Sequence, residues 1–315
     1  MKNSKITIAD FVKDAPAEMR LELLAGAKNA TRREITSARI QKLGLALAGF
    51  AHYIHAGRIQ IVGQSEILFL NQLDNEKKIQ TIRQLNLEEI SCLLITNFLA
   101  PPPELIEIAE EVGLPVLRTA QVSSKSIETI SKFLQETLAP QQHLHGVLVG
   151  IFGIGVLMLG ESGIGKSECA LDLVARGHSL ISDDVVIVKR IGGKLQGTAP
   201  DLTREHLEIR GLGIINVRDL FGVSAIGKQK KQIDLCVELK RWDEVEEVER
   251  LGLKTKRENI FGVKIPKFVL PVSSGRNLST LVETAVRIHL LKVSGCDAAR
   301  DLIERHAKLL TAQQQ

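Results

Sequence analysis

Aromatic side chains are scarce in this chain. They make up 3% of its 315 residues, with a single tryptophan and a single tyrosine. Its cores must therefore rest on Leu, Ile and Val. A single-stranded nucleic-acid binder, which stacks bases on aromatic platforms, is a poor fit. Charge of one sign is also lacking. The 41 basic and 37 acidic residues leave a net +4, too weak a field to hold nucleic acid or an anionic membrane. The four cysteines, Cys92, Cys169, Cys236 and Cys296, stand far apart, so no metal-knuckle or redox-pair spacing exists. Buried free thiols in a reducing compartment are expected. No apolar run reaches the length of a membrane span. The longest, Val147 to Gly160, is interrupted by Gly150, Gly153 and Gly155 and reads as two buried strands joined by a turn. The first residues carry Lys2, Lys5, Asp10, Lys13 and Asp14, unlike a signal peptide. These absences point to a cytoplasmic protein without nucleic-acid or membrane partners.

What is present suggests two domains, at roughly 100 to 200 residues each. The first half alternates strand and helix signals. Arg58 to Gly63 and Cys92 to Asn97 read as short strands, and Pro101-Pro102-Pro103 then opens a helix over Glu104 to Val112. Pro115-Val116-Leu117 starts another strand, and Ile127, Ile130, Phe133 and Leu134 share one helical face. Strand, helix and strand at short intervals imply a parallel α/β layer. The boundary is placed at Ala139-Pro140, giving domains 1–138 and 139–315. In the second domain Ile233, Leu235, Val237 and Leu239 alternate with polar residues and Cys236, as a half-exposed strand does. Lys228, Lys230 and Lys231 precede it as a solvated, mobile loop. Leu278, Leu281, Val282, Ala285 and Ile288 form a helical stripe that Asn277 can cap, a last helix follows from about Asp297, and Gln313-Gln314-Gln315 reads as a frayed tail.

The strongest chemical signal is Gly160-Glu161-Ser162-Gly163-Ile164-Gly165-Lys166-Ser167, which fits G-x-x-x-x-G-K-S at every fixed position. An apolar strand, Val156 to Leu159, leads in, and a helix from Ser167 to Arg176 leads out. Glycines let amide N–H groups converge on phosphate oxygens, and the helix N-terminus adds partial positive charge. Lys166 can reach the β- and γ-phosphates, and the Ser167 hydroxyl can ligate Mg²⁺. The loop does not distinguish ATP from GTP.

Asp183-Asp184 follows one short strand later. A solvated turn is the common fate of such a pair. Beside a phosphate loop, one aspartate suits a metal and the other suits a proton from an attacking hydroxyl. Spacing assigns nothing to His145, a lone histidine ahead of a strand. Glu208, before the glycine-interrupted Ile209 to Asn216, is a candidate metal carboxylate. The residues alone leave three readings open: a protein kinase, a kinase or carboxykinase-like enzyme acting on a metabolite, and a nucleotide-binding regulator without catalysis.

The whole set resembles the HPr kinase/phosphorylase family, which acts on the phosphocarrier protein HPr of the bacterial sugar phosphotransferase system. The resemblance runs over nearly the full length. It is carried by Gly44 to Phe50, Arg58-Ile59-Gln60, the phosphate loop with Glu168, Asp183-Asp184, and Leu207 to Asn216, all in family order. It implies a Rossmann-like N-terminal α/β domain followed by a C-terminal P-loop kinase domain. It also implies ATP or pyrophosphate as phosphoryl donor, Mg²⁺, HPr as protein partner, and a homo-hexamer. In the same way it implies an active-site role for His145, phosphate binding by Lys166, and Asp184 as base in phosphorylation and acid in the reverse reaction. Mg²⁺ positions at Ser167 and Glu208, a further active-site residue at Arg250, and a loop tied to dephosphorylation at Pro271 to Arg276 complete the implied site. Arg250 and Arg276 are candidates for contacts with equatorial phosphoryl oxygens. Two positions depart from the family pattern: Gly150, where many members are acidic, and Ser273-Ser274, where many carry a more basic or proline-containing loop.

Overall fold

The computed structural model describes residues 5–245, 256–273 and 275–313. It divides into two compact units, Met1–Pro140 and Gln141–Gln315, each a mixture of strands and helices. No helix among the described residues is long and apolar enough to cross a membrane.

The first unit is built on the strands β1 (Glu22–Ala25), β2 (Gln41–Lys42), β3 (Ile59–Val62), β4 (Cys92–Ile95) and β5 (Val116–Arg118). Its main helices are α1 (Ile8–Asp14), α2 (Gln64–Gln72), α3 (Asn75–Arg83), α4 (Pro103–Glu111) and α5 (Ser123–Thr137). The sheet order is β1-β5-β4-β3-β2, with β2 to β5 parallel and β1 antiparallel at the edge. Every residue of β3 and β4 is buried, as a parallel sheet covered on both faces requires. Ile67, Leu70, Ile82, Leu105 and Ile108 from α2, α3 and α4 pack on one face. Phe11 of α1 and Ile130 and Leu134 of α5 pack on the other. The helices start where local chemistry directs. The Asp74 carboxylate accepts from the Lys77 amide at 2.9 Å, and Pro103 occupies the first turn of α4, where a missing N–H costs nothing.

The second unit contains β6 (Gln141–His145), β7 (Val147–Ile151), β8 (Ile154–Leu159), β9 (Ser179–Ser182), β10 (Val185–Ile191), β11 (Lys194–Thr198), β12 (His206–Ile209), β13 (Gly213–Asn216), β14 (Lys231–Gln232), β15 (Leu235–Arg241), β16 (Lys256–Ile260) and β17 (Val263–Val272). Its helices include α6 (Lys166–Ala175), α7 (Val217–Phe221), α8 (Leu278–Val293) and α9 (Ala298–Gln313). Six strands form one sheet in the order β9-β7-β8-β15-β17-β16, and β14-β11-β10-β6 form a second. β8, β15 and β17 run parallel at the centre of the first sheet. On one face, Cys169, Ala170, Leu173 and Val174 of α6 and Val282 and Val286 of α8 meet Val156, Met158, Leu235, Val237 and Leu239. On the other, Leu148, Leu157 and Cys236 meet Val186, Val188 and Leu195 of the second sheet.

That layering corrects several sequence readings. The strand expected to be half-exposed, β15, is central, because helices cover one face and a second sheet covers the other. Cys236 points into that second core and is fully buried, while Glu238 and Lys240, farther along the same face, keep partial exposure. Lys231 is held: its ammonium donates to the Gly153 carbonyl at 2.6 Å. Cys92, Cys169 and Cys236 are buried, but Cys296 is exposed. Ile288 is exposed as well, because the buried stripe of α8 runs through Val282, Ala285 and Val286. The Asn277 cap is present, accepting from the Thr280 amide at 2.8 Å. Gln313 ends α9, and Gln314 and Gln315 lie outside the described residues.

Gly150 lies in β7 beside Ser179 of β9. A Cβ there would stand 2.6 Å from the Ser179 hydroxyl oxygen. An acidic side chain at this position would have to displace Ser179.

Candidate functional site

The phosphate loop connects β8, a strand fully buried at its centre, to α6. Three glycines give the turn its shape, with φ of +150° at Gly160, +79° at Gly163 and +99° at Gly165, values that favour a residue without Cβ. Ile164 folds under the turn, its amide donating to the Glu161 carbonyl at 3.3 Å. Glu161, Ser162 and Gly163 are exposed. Among the described residues the amides of Ser162, Gly163 and Gly165 donate to no backbone carbonyl, so they remain open to an anion. The Lys166 ammonium donates to the carbonyls of Gly160 and Glu161, both at 2.8 Å. It is therefore folded over its own loop, at the mouth where phosphate would sit.

Ser167, in the first turn of α6, points toward the end of β9. Its hydroxyl donates to Asp183 at 2.9 and 3.2 Å from the two carboxylate oxygens. The same carboxylate accepts the Glu208 amide of β12 at 3.1 Å. Asp183 thereby ties three elements together: the helix after the loop, the end of β9, and the β12–β13 hairpin. Its side chain is buried, with 5% relative exposure. Burial holds its pKa above the ordinary aspartate value, against the opposing pull of the Glu208 amide and the Ser167 hydroxyl.

The adjacent aspartates therefore occupy different environments. Asp184 adopts φ of +60°, a left-handed conformation that Asp and Asn tolerate better than most residues. This turns its side chain out to 77% exposure. Its carbonyl accepts the Gly146 amide at 2.9 Å, and the Val185 amide returns to the Asp183 carbonyl at 2.7 Å. Pairing of β6 with β10 sets His145 opposite Val185. The His145 Nδ1 consequently lies 3.8 Å from the Asp184 carboxylate, too far for a direct hydrogen bond but close enough for an ion pair when the ring is protonated. Spacing had left His145 unassigned; strand register is what brings it here.

Glu208 has an exposed side chain. The oxygens of Ser167, Asp183 and Glu208 are hard donors of the kind Mg²⁺ accepts. Among the described residues no group of three or more His, Cys, Asp or Glu side chains could hold a metal on its own. Arg276 lies against Trp242, its guanidinium carbon 4.7 Å from the ring centroid, and Arg241 approaches Glu161 at 3.7 Å. Arg250 and Ser274 lie outside the described residues. Sequence reasoning overlooked Arg210, in the turn after β12. A Cβ built on Gly163 would meet its guanidinium.

The raised pKa of Asp183 makes a stability prediction. Between its unfolded value, about 3.9, and its higher folded value, the folded protein binds more protons. Stability therefore falls as pH rises through that window, and the ionised carboxylate's burial cost is fully present above it. Asp183→Asn removes the charge and keeps the shape, with its amide oxygen able to accept from Glu208 and its NH₂ able to donate to Ser167. Without ligands, this variant should melt at or above the wild-type temperature at pH 7. The advantage should shrink as pH falls toward 4, and the thermal shift on adding MgATP should largely disappear. Differential scanning fluorimetry across pH, with and without MgATP, measures all three.

The family model described as HPr Serine kinase C-terminal domain matches residues 136–306, and that described as HPr Serine kinase N terminus matches residues 6–134. A protein of Geobacter sulfurreducens named HPr kinase/phosphorylase is 47% identical over 311 residues, covering 98% of this chain and 96% of its own length. One of the same name from Caldicellulosiruptor bescii is 40% identical over 295 residues, covering 93% and 94%. The solved structure of the Hpr(Ser) kinase/phosphatase from Coxiella burnetii aligns with 36% identity and a TM-score of 0.47, over 51% of this chain and 98% of its own.

Proposed function

Because the chain belongs to the HPr kinase/phosphorylase family, we propose that it phosphorylates a serine of the phosphocarrier protein HPr and removes that phosphate with inorganic phosphate, releasing pyrophosphate. The observation that carries the reading is the division of labour within one aspartate pair. Asp183 is buried against the Ser167 hydroxyl and the Glu208 amide, while Asp184 stands exposed beside His145.

In this reading ATP lies with its β- and γ-phosphates on the amides of residues 160–167, and Lys166 exchanges its two carbonyl partners for phosphate oxygens. Ser167, Asp183 and Glu208 would hold Mg²⁺, which when bound neutralises charge on the phosphate oxygens. The acceptor serine enters from solvent beside Asp184. Asp184 takes the hydroxyl proton as the phosphoryl group transfers, with His145 beside it at 3.8 Å. In the reverse direction inorganic phosphate sits on the loop, attacks the phosphoserine phosphorus, and Asp184 returns the proton to the departing serine oxygen. Positioning and charge neutralisation supply most of the catalysis. Exposed Leu212 and Ile214 on the hairpin beside the site favour a macromolecular acceptor, since such apolar surface suits a protein partner.

The finer architecture belongs to the same proposal. Residues 1–138 form a Rossmann-like α/β domain, a reading supported by the parallel order of β2 to β5 with helices on both faces. Residues 139–315 form a P-loop kinase domain, supported by the succession of β8, glycine loop and α6. The chain works in the cytoplasm as a homo-hexamer, with exposed Leu202, Leu220 and Val223 as apolar surface suited to assembly.

The test is incubation of the full chain with purified HPr and MgATP, then with phosphate. Mass measurement of HPr should show one phosphoryl group gained on a serine and then lost as pyrophosphate appears. Transfer to a metabolite with HPr untouched would overturn the acceptor.

A further inference from the structure

The β12–β13 hairpin carries a second charged group toward the phosphate loop. Its first residues are fixed, because the Glu208 amide is bonded to Asp183 at 3.1 Å. Arg210 follows two residues later, at the start of the turn. A Cβ placed on Gly163 would stand 2.8 Å from Nη1, 2.8 Å from Nη2 and 3.0 Å from Cζ of Arg210. Equal approach by both terminal nitrogens means that the guanidinium fork straddles Gly163, at the crown of the loop. Gly163 holds a φ of +79° that favours glycine, and the end of the Arg210 side chain lies against it. The Glu161 and Gly160 carbonyls already hold Lys166 on the same loop. Among the described residues no ion pair or side-chain hydrogen bond engages the Arg210 guanidinium.

Three kinds of donor lie on or against this one loop. Exposed amides of Ser162 and Gly163 lie in the loop, the Lys166 ammonium lies at its mouth, and a planar pair of N–H donors lies across its crown. A guanidinium fork matches two oxygens of one phosphoryl group, which an ammonium does not. We propose that Arg210 is a phosphate-binding residue of this site, contacting the phosphoryl group seated on the loop and setting the affinity for both ATP and inorganic phosphate. The inference rests on the phosphotransfer reading above and adds a residue to it. The hairpin then has a double function: Glu208 serves the metal side of the site, and Arg210 covers the anion.

The test compares wild type, Arg210→Lys and Arg210→Gln as full-length proteins. Titration calorimetry with inorganic pyrophosphate and with MgATP reads binding independently of HPr, and steady-state assays give the KM for phosphate in the reverse reaction. Arg210→Gln should weaken pyrophosphate and ATP binding and raise the phosphate KM by roughly 10- to 100-fold, the scale of one or two lost charge-assisted hydrogen bonds. Arg210→Lys should lie between it and the wild type, and the KM for HPr should stay within about twofold. Melting temperatures check folding, and the lysine variant settles the matter if the glutamine variant is destabilised. Wild-type affinity for pyrophosphate and ATP in both variants would overturn the proposal. So would a rise in HPr KM with unchanged phosphate binding, which would place Arg210 in acceptor contact. If the wild type binds pyrophosphate, Arg210→Gln loses that binding, and HPr is never phosphorylated, the acceptor reading fails and the Arg210 assignment stands.

Discussion

Replacing Asp184 with Asn should lower turnover by at least about 1,000-fold in both directions, with MgATP binding changed by no more than about threefold. General acid–base catalysis contributes roughly 10²- to 10⁴-fold, and a 1,000-fold loss corresponds to about 4 kcal/mol of barrier. Asn is the informative substitution here. The φ of +60° at position 184 is tolerated by Asn and Asp but strained for Ala, so an alanine variant would mix lost chemistry with a distorted turn. The carbonyl of residue 184 also holds the Gly146 amide, which an asparagine leaves in place. Single-turnover phosphorylation of HPr, phosphorolysis of phospho-HPr and ATP titration are the three measurements. Near-normal turnover in Asp184→Asn would remove Asp184 as the base. Parallel loss of ATP binding would mean that it acts on the nucleotide instead.

Lys166→Met should produce the second large loss: about 100- to 1,000-fold in kcat/KM for ATP, the scale of removing one donor aimed at developing charge. Met fills similar space along the stem, so lost packing contributes little. The lysine already rests 2.8 Å from two loop carbonyls, so its displacement onto phosphate exchanges neutral acceptors for charged ones, and that gain is what the variant forfeits. Without nucleotide the variant should melt within about 2 °C of the wild type, since exposed or half-exposed contacts of this kind change stability little. A lysine variant with wild-type kcat/KM would leave the loop as a structural turn only.

These residues were legible in the sequence to different degrees, for physical reasons. The phosphate loop is local: glycines, lysine and serine lie within eight consecutive positions, and their spacing alone dictates a turn that presents amides at a helix N-terminus. The paired strands β7 and β8, the Pro103 start of α4 and the Asn277 cap of α8 are local in the same sense. The roles within Asp183-Asp184 were not local. Sequence identified the pair, but contacts with residues 16 and 25 positions away set which carboxylate is buried. His145 reached the site through strand register, and Arg210 through the trajectory of a hairpin. β15 misled because alternation reports two environments without saying whether either is solvent.

The sequence by itself determined a nucleotide-type phosphate loop, an α/β chain, and the family to which both belong, because these depend on short-range backbone preferences and on the order of motifs. Tertiary structure alone decided that Asp183 is buried and Asp184 exposed, that His145 faces Asp184, and that Arg210 lies over Gly163. Each of those outcomes depends on which distant segments pack together, and so on burial and register, which no local pattern specifies.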